Sequence, residues 1–166
     1  MLDIRNAAAV EAERCYEFIN DARAYHEQLG FEQWHPEYPT LDTIKNDIMD
    51  GTAYVFADNG EPLGYCCIIF EEEPAYRNID GKWTTDAPYA VVHRMAFGKN
   101  TRGRGISGEA IRLIKELCKA SGISSIRVDT QKENQVMQHI LDREGFVYCG
   151  LIQFDGGPKL AYELDF

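Results

Sequence analysis

Apolar residues recur along this chain in two rhythms, one of about 3.6 residues and one of two, and the switches between them outline its elements. From Val10 or Glu11, the positions Cys15, Phe18, Ile19, Ala22, Tyr25 or His26 and Leu29 share a helical face, and Gly30 ends the run. Leu41, Ile44 and Ile48 mark a second, short helix closed by Gly51. The rhythm then shortens. Ala53 to Ala57 and Leu63 to Phe70 flank Asp58-Asn59-Gly60-Glu61, a strand, a hairpin turn and a strand. Tyr89 to Phe97 is a further strand, with Tyr89, Val91, His93, Met95 and Phe97 expected on one face and Ala90, Val92, Arg94 and Ala96 on the other. A third helix begins at Ile106, buries Ala110, Leu113, Ile114, Leu117 and Cys118, and stops at Gly122. Ser124 to Thr130 is a strand. Asn134 opens a last helix whose apolar face is Val136, Met137, Ile140 and Leu141, ended by Gly145. Phe146 to Phe154 and Leu160 to Phe166 make a closing hairpin around Asp155-Gly156-Gly157, and Ile4-Arg5-Asn6 suits an edge strand.

Two stretches keep neither rhythm. Phe31 to Pro39 carries Trp34, His35 and two prolines; Glu71 to Pro88 carries three glutamates, Pro74, Gly81, Trp83 and Pro88. An irregular segment as long as the second is usually functional or mobile. The pattern predicts one domain over residues 1–166, a single mixed α/β sheet with helices on both faces.

Composition narrows the function classes. At 166 residues with 45% hydrophobic and 27% charged content, the chain can bury a proper core. No apolar stretch approaches the roughly 20 residues that cross a bilayer, and no export signal is apparent. The five cysteines include no C-x-x-C pair, which predicts unbridged thiols in a reducing cytoplasm. Adjacent Cys66 and Cys67 face opposite sides of their strand as small fillers. His26, His35, His93 and His139 show no metal-ligand spacing, so no metal is expected. A net charge of −10 argues against general nucleic-acid binding.

Against that acidic background, one stretch is cationic. From Arg94 to Arg104 lie Arg94, Lys99, Arg102 and Arg104 with no acidic residue. The segment ends in glycines that open a helix, where unsatisfied N–H groups and the helix dipole favour an anion. A phosphate-bearing ligand fits such a turn; a solvated basic loop is the plain alternative. A Walker loop requires Gly-Lys-Ser/Thr, and Gly105-Ile106-Ser107 lacks the lysine. The dinucleotide pattern G-x-G-x-x-G is present at Gly103, Gly105 and Gly108, with Asp129 about 20 residues on. Gly98 to Arg102 separate it from its strand, and too little chain follows Asp129 to complete a doubly wound sheet.

The third candidate is R-x-x-G-x-G/A, present as Arg102-Gly103-Arg104-Gly105-Ile106-Ser107, with Ser107 replacing the final small residue. With its flanking strand and helix, Asn134 and the late helix ending in Gly145-Phe146, it resembles the GNAT superfamily of acetyl-CoA-dependent N-acetyltransferases. The resemblance implies a mostly antiparallel sheet with a splayed central parallel strand pair. It implies acetyl-CoA as co-substrate, its pyrophosphate on Arg102, Gly103, Arg104, Gly105, Ile106 and Ser107, its pantetheine along Met95, Ala96 and Phe97, and Asn134 beside it. Trp34, Tyr38, Tyr76, Trp83 and Tyr89 become candidate walls of the acceptor pocket, or staples of their loops to the core. Family members often carry a glutamate where this chain has Val91 and a tyrosine acid where it has Leu141. His93 is the remaining possible base; Tyr148, Tyr89 and His139 are the alternatives for an acid. The implied activity is acetyl transfer to a primary amine, small molecule or protein, by direct attack. The missing groups also admit a catalytically inactive acyl-CoA-binding module, and the C-terminal hairpin could pair two copies into a homodimer.

Overall fold

The computed structural model describes residues 1–154 and 156–166; the tip of the last hairpin, expected at Asp155, lies outside the described residues. The strands are β1 (Leu2–Asn6), β2 (Ala53–Asp58), β3 (Glu61–Ile69), β4 (Asp80–Gly81), β5 (Ala90–Phe97), β6 (Ser125–Thr130), β7 (Val147–Phe154) and β8 (Gly157–Asp165). The helices are α1 (Ala12–Gln28), α2 (Leu41–Met49), α3 (Ile106–Ala120) and α4 (Gln135–Arg143). The strands form one mixed sheet in the order β1-β2-β3-β5-β6-β8-β7-β4. The ladders of β1 with β2, β2 with β3, β4 with β7, β6 with β8 and β7 with β8 are antiparallel. The pair β5–β6 is parallel, in register at Ala90↔Ile126 and Val91↔Arg127, while β5 runs on to Phe97.

The chain divides into two compact units, residues 1–68 with 93–113 and residues 69–92 with 114–166. In the first, Cys15, Phe18 and Ile19 of α1 and Ile44 of α2 close over Ala53 and Val55 of β2, Tyr65 of β3 and Ala96 of β5. A 3₁₀ turn at Ala9–Glu11 delays α1 to Ala12, slightly later than the pattern suggests. Thr40 caps α2, accepting from the Thr43 amide at 3.3 Å while the Thr43 hydroxyl accepts from the Thr40 amide at 3.0 Å. Asn59 and Gly60 have φ of 52° and 82°, the left-handed pair of a two-residue hairpin. Gly64 is needed for a different reason: a Cβ there would stand 2.5 Å from the Phe97 ring and 3.0 Å from the Ala96 carbonyl.

In the second unit, Tyr76, Val91, Ile152 and Ala161 form a buried cluster, with Trp83, Tyr89 and Phe154 packed on it. The Glu71–Pro88 stretch is more ordered than its composition suggests. It contains a 3₁₀ turn at Pro74–Asn78 and then β4, which lies so close to β7 that a Cβ on Gly150 would meet the Asp80 carbonyl at 2.2 Å. β8 starts at Gly157, three residues before the predicted strand.

One feature of β5 departs from the simple alternation. Arg94 has φ of 54°, so the pleat is broken there by a left-handed residue that is not glycine. A buried polar network holds it. The Arg94 guanidinium donates to both carboxylate oxygens of Asp47, from Nη2 at 2.7 Å and from Nε at 3.1 Å, and to the Tyr38 hydroxyl at 2.7 Å. The Tyr65 phenol, fully buried, donates to the same Asp47 carboxylate. No helix among the described residues is long and apolar enough to cross a membrane.

Candidate active site

The cationic turn follows β5 and is built by short backbone bonds. The Gly98 amide donates to the Leu63 carbonyl at 3.0 Å, and the Thr101 amide and hydroxyl both donate back to the Gly98 carbonyl, at 3.0 and 2.7 Å. Thr101 is buried, a polar hinge with no sequence signal of its own. The Arg104 amide donates to the Thr101 carbonyl at 3.2 Å, and Gly103 and Gly105 on either side take φ of 78° and 71°. A Cβ on either glycine would meet nothing within 4 Å, so the turn faces open space. The bond from the Glu109 amide to the Gly105 carbonyl, at 3.3 Å, starts the ladder of α3. Ile106 and Ala110 bury the inner side of that turn.

Helix α1 holds the turn from outside. The Asp21 carboxylate accepts from the Lys99 amide at 3.0 Å, the Asp21 carbonyl accepts from Arg102 at 3.2 Å, and the Arg102 guanidinium lies 4.0 Å above the Tyr25 ring. Neither Asp21 nor Tyr25 announces itself in the sequence, because both contacts span some 80 residues.

The strand leading into the turn carries His93, Met95, Ala96 and Phe97. Ala96 is in the core, and Phe97 packs on Phe56 with ring centroids 5.6 Å apart. Burial pushes the His93 imidazole down to about 4; neighbouring Arg94 adds to the fall and Asp47 opposes it. The ring is therefore neutral at pH 7.

Asn134 belongs to the other compact unit, as the N-cap of α4: its side chain accepts from the Met137 amide at 3.1 Å. Of the expected pocket residues, the structure brings three together. Tyr76 lies 5.0 Å from Trp83 and 6.2 Å from Tyr89 by ring centroid, and the Trp83 indole donates to the Tyr76 carbonyl at 2.9 Å. Arg127 lies 4.2 Å above the Trp83 ring and 3.9 Å above Tyr89. Its guanidinium also reaches the fully buried Glu163 carboxylate at 3.2 Å. Trp34 belongs to the first unit, where its ring centroid lies 5.4 Å from that of His26. Leu141, where an acid would be sought, is buried in the core.

The strands exclude the dinucleotide reading: that fold needs a largely parallel sheet, and only the β5–β6 ladder is parallel among those described. Asp129, the acid of that pattern, instead accepts a hydrogen bond from Tyr76 at 2.7 Å. No group of three or more metal-ligating side chains occurs among the described residues.

A model of the acetyltransferase (GNAT) family matches residues 12–146, from the start of α1 to three residues past α4. The chain belongs to the GNAT family. A GNAT-family acetyltransferase from Streptococcus agalactiae is 34% identical, with a TM-score of 0.92 over 99% of this chain and 95% of that one. Another, from Listeria monocytogenes, is 18% identical with a TM-score of 0.77 over 99% and 95%. The aminoglycoside acetyltransferase AAC(6′)-Ib, solved with coenzyme A, is 19% identical with a TM-score of 0.72, again over 99% and 95%. No curated protein matches the chain. The loop glycines, Arg102 and Arg104 are the part of this GNAT chain that sequence motifs locate; its carboxylates are the part they do not.

Proposed function

We propose that this protein transfers the acetyl group of acetyl-CoA to a primary amine, by direct attack of the amine on the thioester in a ternary complex. The observation that carries the reading is the turn at Arg102–Ser107: two left-handed glycines with nothing over them, at the start of a helix, beside Arg102 and Arg104. Backbone N–H groups there suit a pyrophosphate, and the arginines add charge. Met95, Ala96 and Phe97 are the stretch proposed to hydrogen-bond the pantetheine arm, and Asn134 is proposed to face the same cofactor. Tyr76, Trp83, Tyr89 and Trp34 are proposed walls for the acceptor. AAC(6′)-Ib has been solved with coenzyme A and kanamycin; a small molecule bearing an amine is a reasonable acceptor class here too. The five buried, unbridged thiols suit a cytoplasmic setting.

Positioning of amine and thioester supplies much of the acceleration in such a reaction. A proton must also leave the amine. His93 is the residue that the strand position offers for it. A neutral imidazole can take that proton, though one that titrates near 4 gives it up readily. The second reading, an acyl-CoA-binding module without turnover, draws on the absence of a glutamate at Val91 and of a tyrosine at Leu141. Calorimetry with acetyl-CoA and a thiol-release assay over a panel of amines separate the two. Binding with release supports the transferase, binding without release on every amine supports the module, and no binding ends both readings.

A further inference from the structure

The two buried carboxylates among the described residues are each matched by arginine: Asp47 by Arg94 at 2.7 Å and Glu163 by Arg127 at 3.2 Å. Asp129, half-buried on β6, forms no ion pair among the described residues. Its one hydrogen bond comes from the Tyr76 hydroxyl to Oδ2, at 2.7 Å, and Oδ1 receives none among the described residues. A carboxylate kept half-buried with a phenol for its partner is costly to hold, and such groups gather at functional sites.

Its place on the sheet is informative. Val91 of β5 is in register with Arg127 of β6, and Asp129 is in register with Ala161 of β8. Residues two apart share a face, so Val91, Arg127, Asp129 and Ala161 all lie on one side. Val91 and Ala161 pack there with Tyr76, and Trp83 and Tyr89 border them. Asp129 therefore stands one strand over from Val91, on the face lined by the proposed acceptor walls. Around it are Tyr76 and Glu73 from the 3₁₀ segment, Lys159 from β8, and Arg127 on its own strand. Burial raises the carboxyl to about 6, the Tyr76 bond and Lys159 pull it down, and Glu73 pushes it up. A base titrating near 6 is closer to the working pH than one near 4, and so the more effective.

We propose that Asp129, oriented by Tyr76, is the base that deprotonates the acceptor amine, which is an aliphatic amine that arrives as an ammonium ion. The inference rests on the transferase reading. The ammonium passes one proton to the Asp129 carboxylate. The neutral amine attacks the thioester carbon, the C–N bond forms, and the C–S bond breaks with its electron pair left on sulfur. The second N–H proton ends on the departing thiolate, and the proton on Asp129 returns to solvent. Atoms and charge balance without any further reactant.

The test uses full-length protein, acetyl-CoA and whichever aliphatic amine of the panel turns over. D129N is expected to lower kcat/KM at pH 7 by about 10²–10⁴-fold, with acetyl-CoA affinity by calorimetry unchanged within about two-fold. Y76F removes the bond that favours the charged carboxylate, so the acidic limb of its kcat/KM profile is expected at higher pH than in wild type. A purely structural role would not move that limb. D129N retaining wild-type kcat/KM overturns the proposal, as does a Y76F limb that stays in place, or a limb that H93A abolishes while D129N leaves it intact. If D129N does not fold, shown by loss of acetyl-CoA binding, the Y76F limb decides alone. An inactive wild type on all amines is a different failure, that of the transferase reading itself.

Discussion

Removing the Asp47 carboxylate is the sharpest test of how β5 is held. In the native protein Asp47 accepts two hydrogen bonds from Arg94 and one from Tyr65. The Arg94 and Asp47 side chains are 13% and 10% exposed, and Tyr65 is fully buried. Asp47→Ala leaves a nearly buried guanidinium without its counter-charge, a loss of about 3–5 kcal/mol. It also leaves the Tyr65 hydroxyl without an acceptor, about 1–3 kcal/mol more. Arg94 keeps its bond to Tyr38 and can relax outward, so the total expected is about 4 kcal/mol. Urea denaturation gives that figure directly from midpoint and slope. Arg94→Ala completes a double-mutant cycle, and the pair should couple by about 2–3 kcal/mol, because each single variant already loses the whole ion pair. Arg94→Gly adds a second reading: glycine takes φ of 54° without strain, so this variant loses the ion pair but keeps the break in the strand. Its acetyl-CoA affinity should exceed that of Arg94→Ala. An Asp47→Ala cost below about 1 kcal/mol, or strict additivity in the cycle, refutes the view that this network fixes the strand.

Other variants probe other parts. Gly103→Val puts a branched side chain at φ of 78°, a cost of about 1–2 kcal/mol per strained residue, and should weaken acetyl-CoA binding about ten-fold or more by calorimetry. Gly64→Ala drives a methyl into the Phe97 ring and the Ala96 carbonyl, and thermal denaturation should show a loss of about 1–3 kcal/mol. Asp129→Asn should stabilise the fold. The native carboxyl binds its proton up to about pH 6 and the unfolded one only to about 3.9, so stability falls as pH rises through that window. At pH 7 the penalty approaches 3 kcal/mol for a fully buried group, and half-burial reduces it to about 1–2 kcal/mol. The gain in urea midpoint should be full at pH 7.5 and fade toward pH 4.

Local features were legible in the chain; distant pairings were not. Asn59-Gly60 reads as a hairpin, and Gly30, Gly51, Gly122 and Gly145 each follow a helix with positive φ, because one residue's backbone freedom decides the outcome. The glycine turn and the start of α3 follow the same logic. The alternation through β5 is right only for a regular pleat, and Arg94 breaks it for the sake of Asp47, a partner 47 positions away. Asp21 and Tyr25 against Lys99 and Arg102, and Arg127 against Glu163, are likewise pairings between distant segments that no local spacing announces. Asp129 was visible in the sequence only as part of a glycine pattern that the sheet excludes. That its carboxylate forms no ion pair among the described residues appears only when the neighbours are in place.

The two tryptophans fall one to each compact unit, Trp34 against the His26 ring and Trp83 beneath the Arg127 cation. The protein thus carries a separate optical reporter in each half. Single-tryptophan variants, made by Trp34→Phe and Trp83→Phe, would let fluorescence titrations with coenzyme and with amine be followed independently, without an added label.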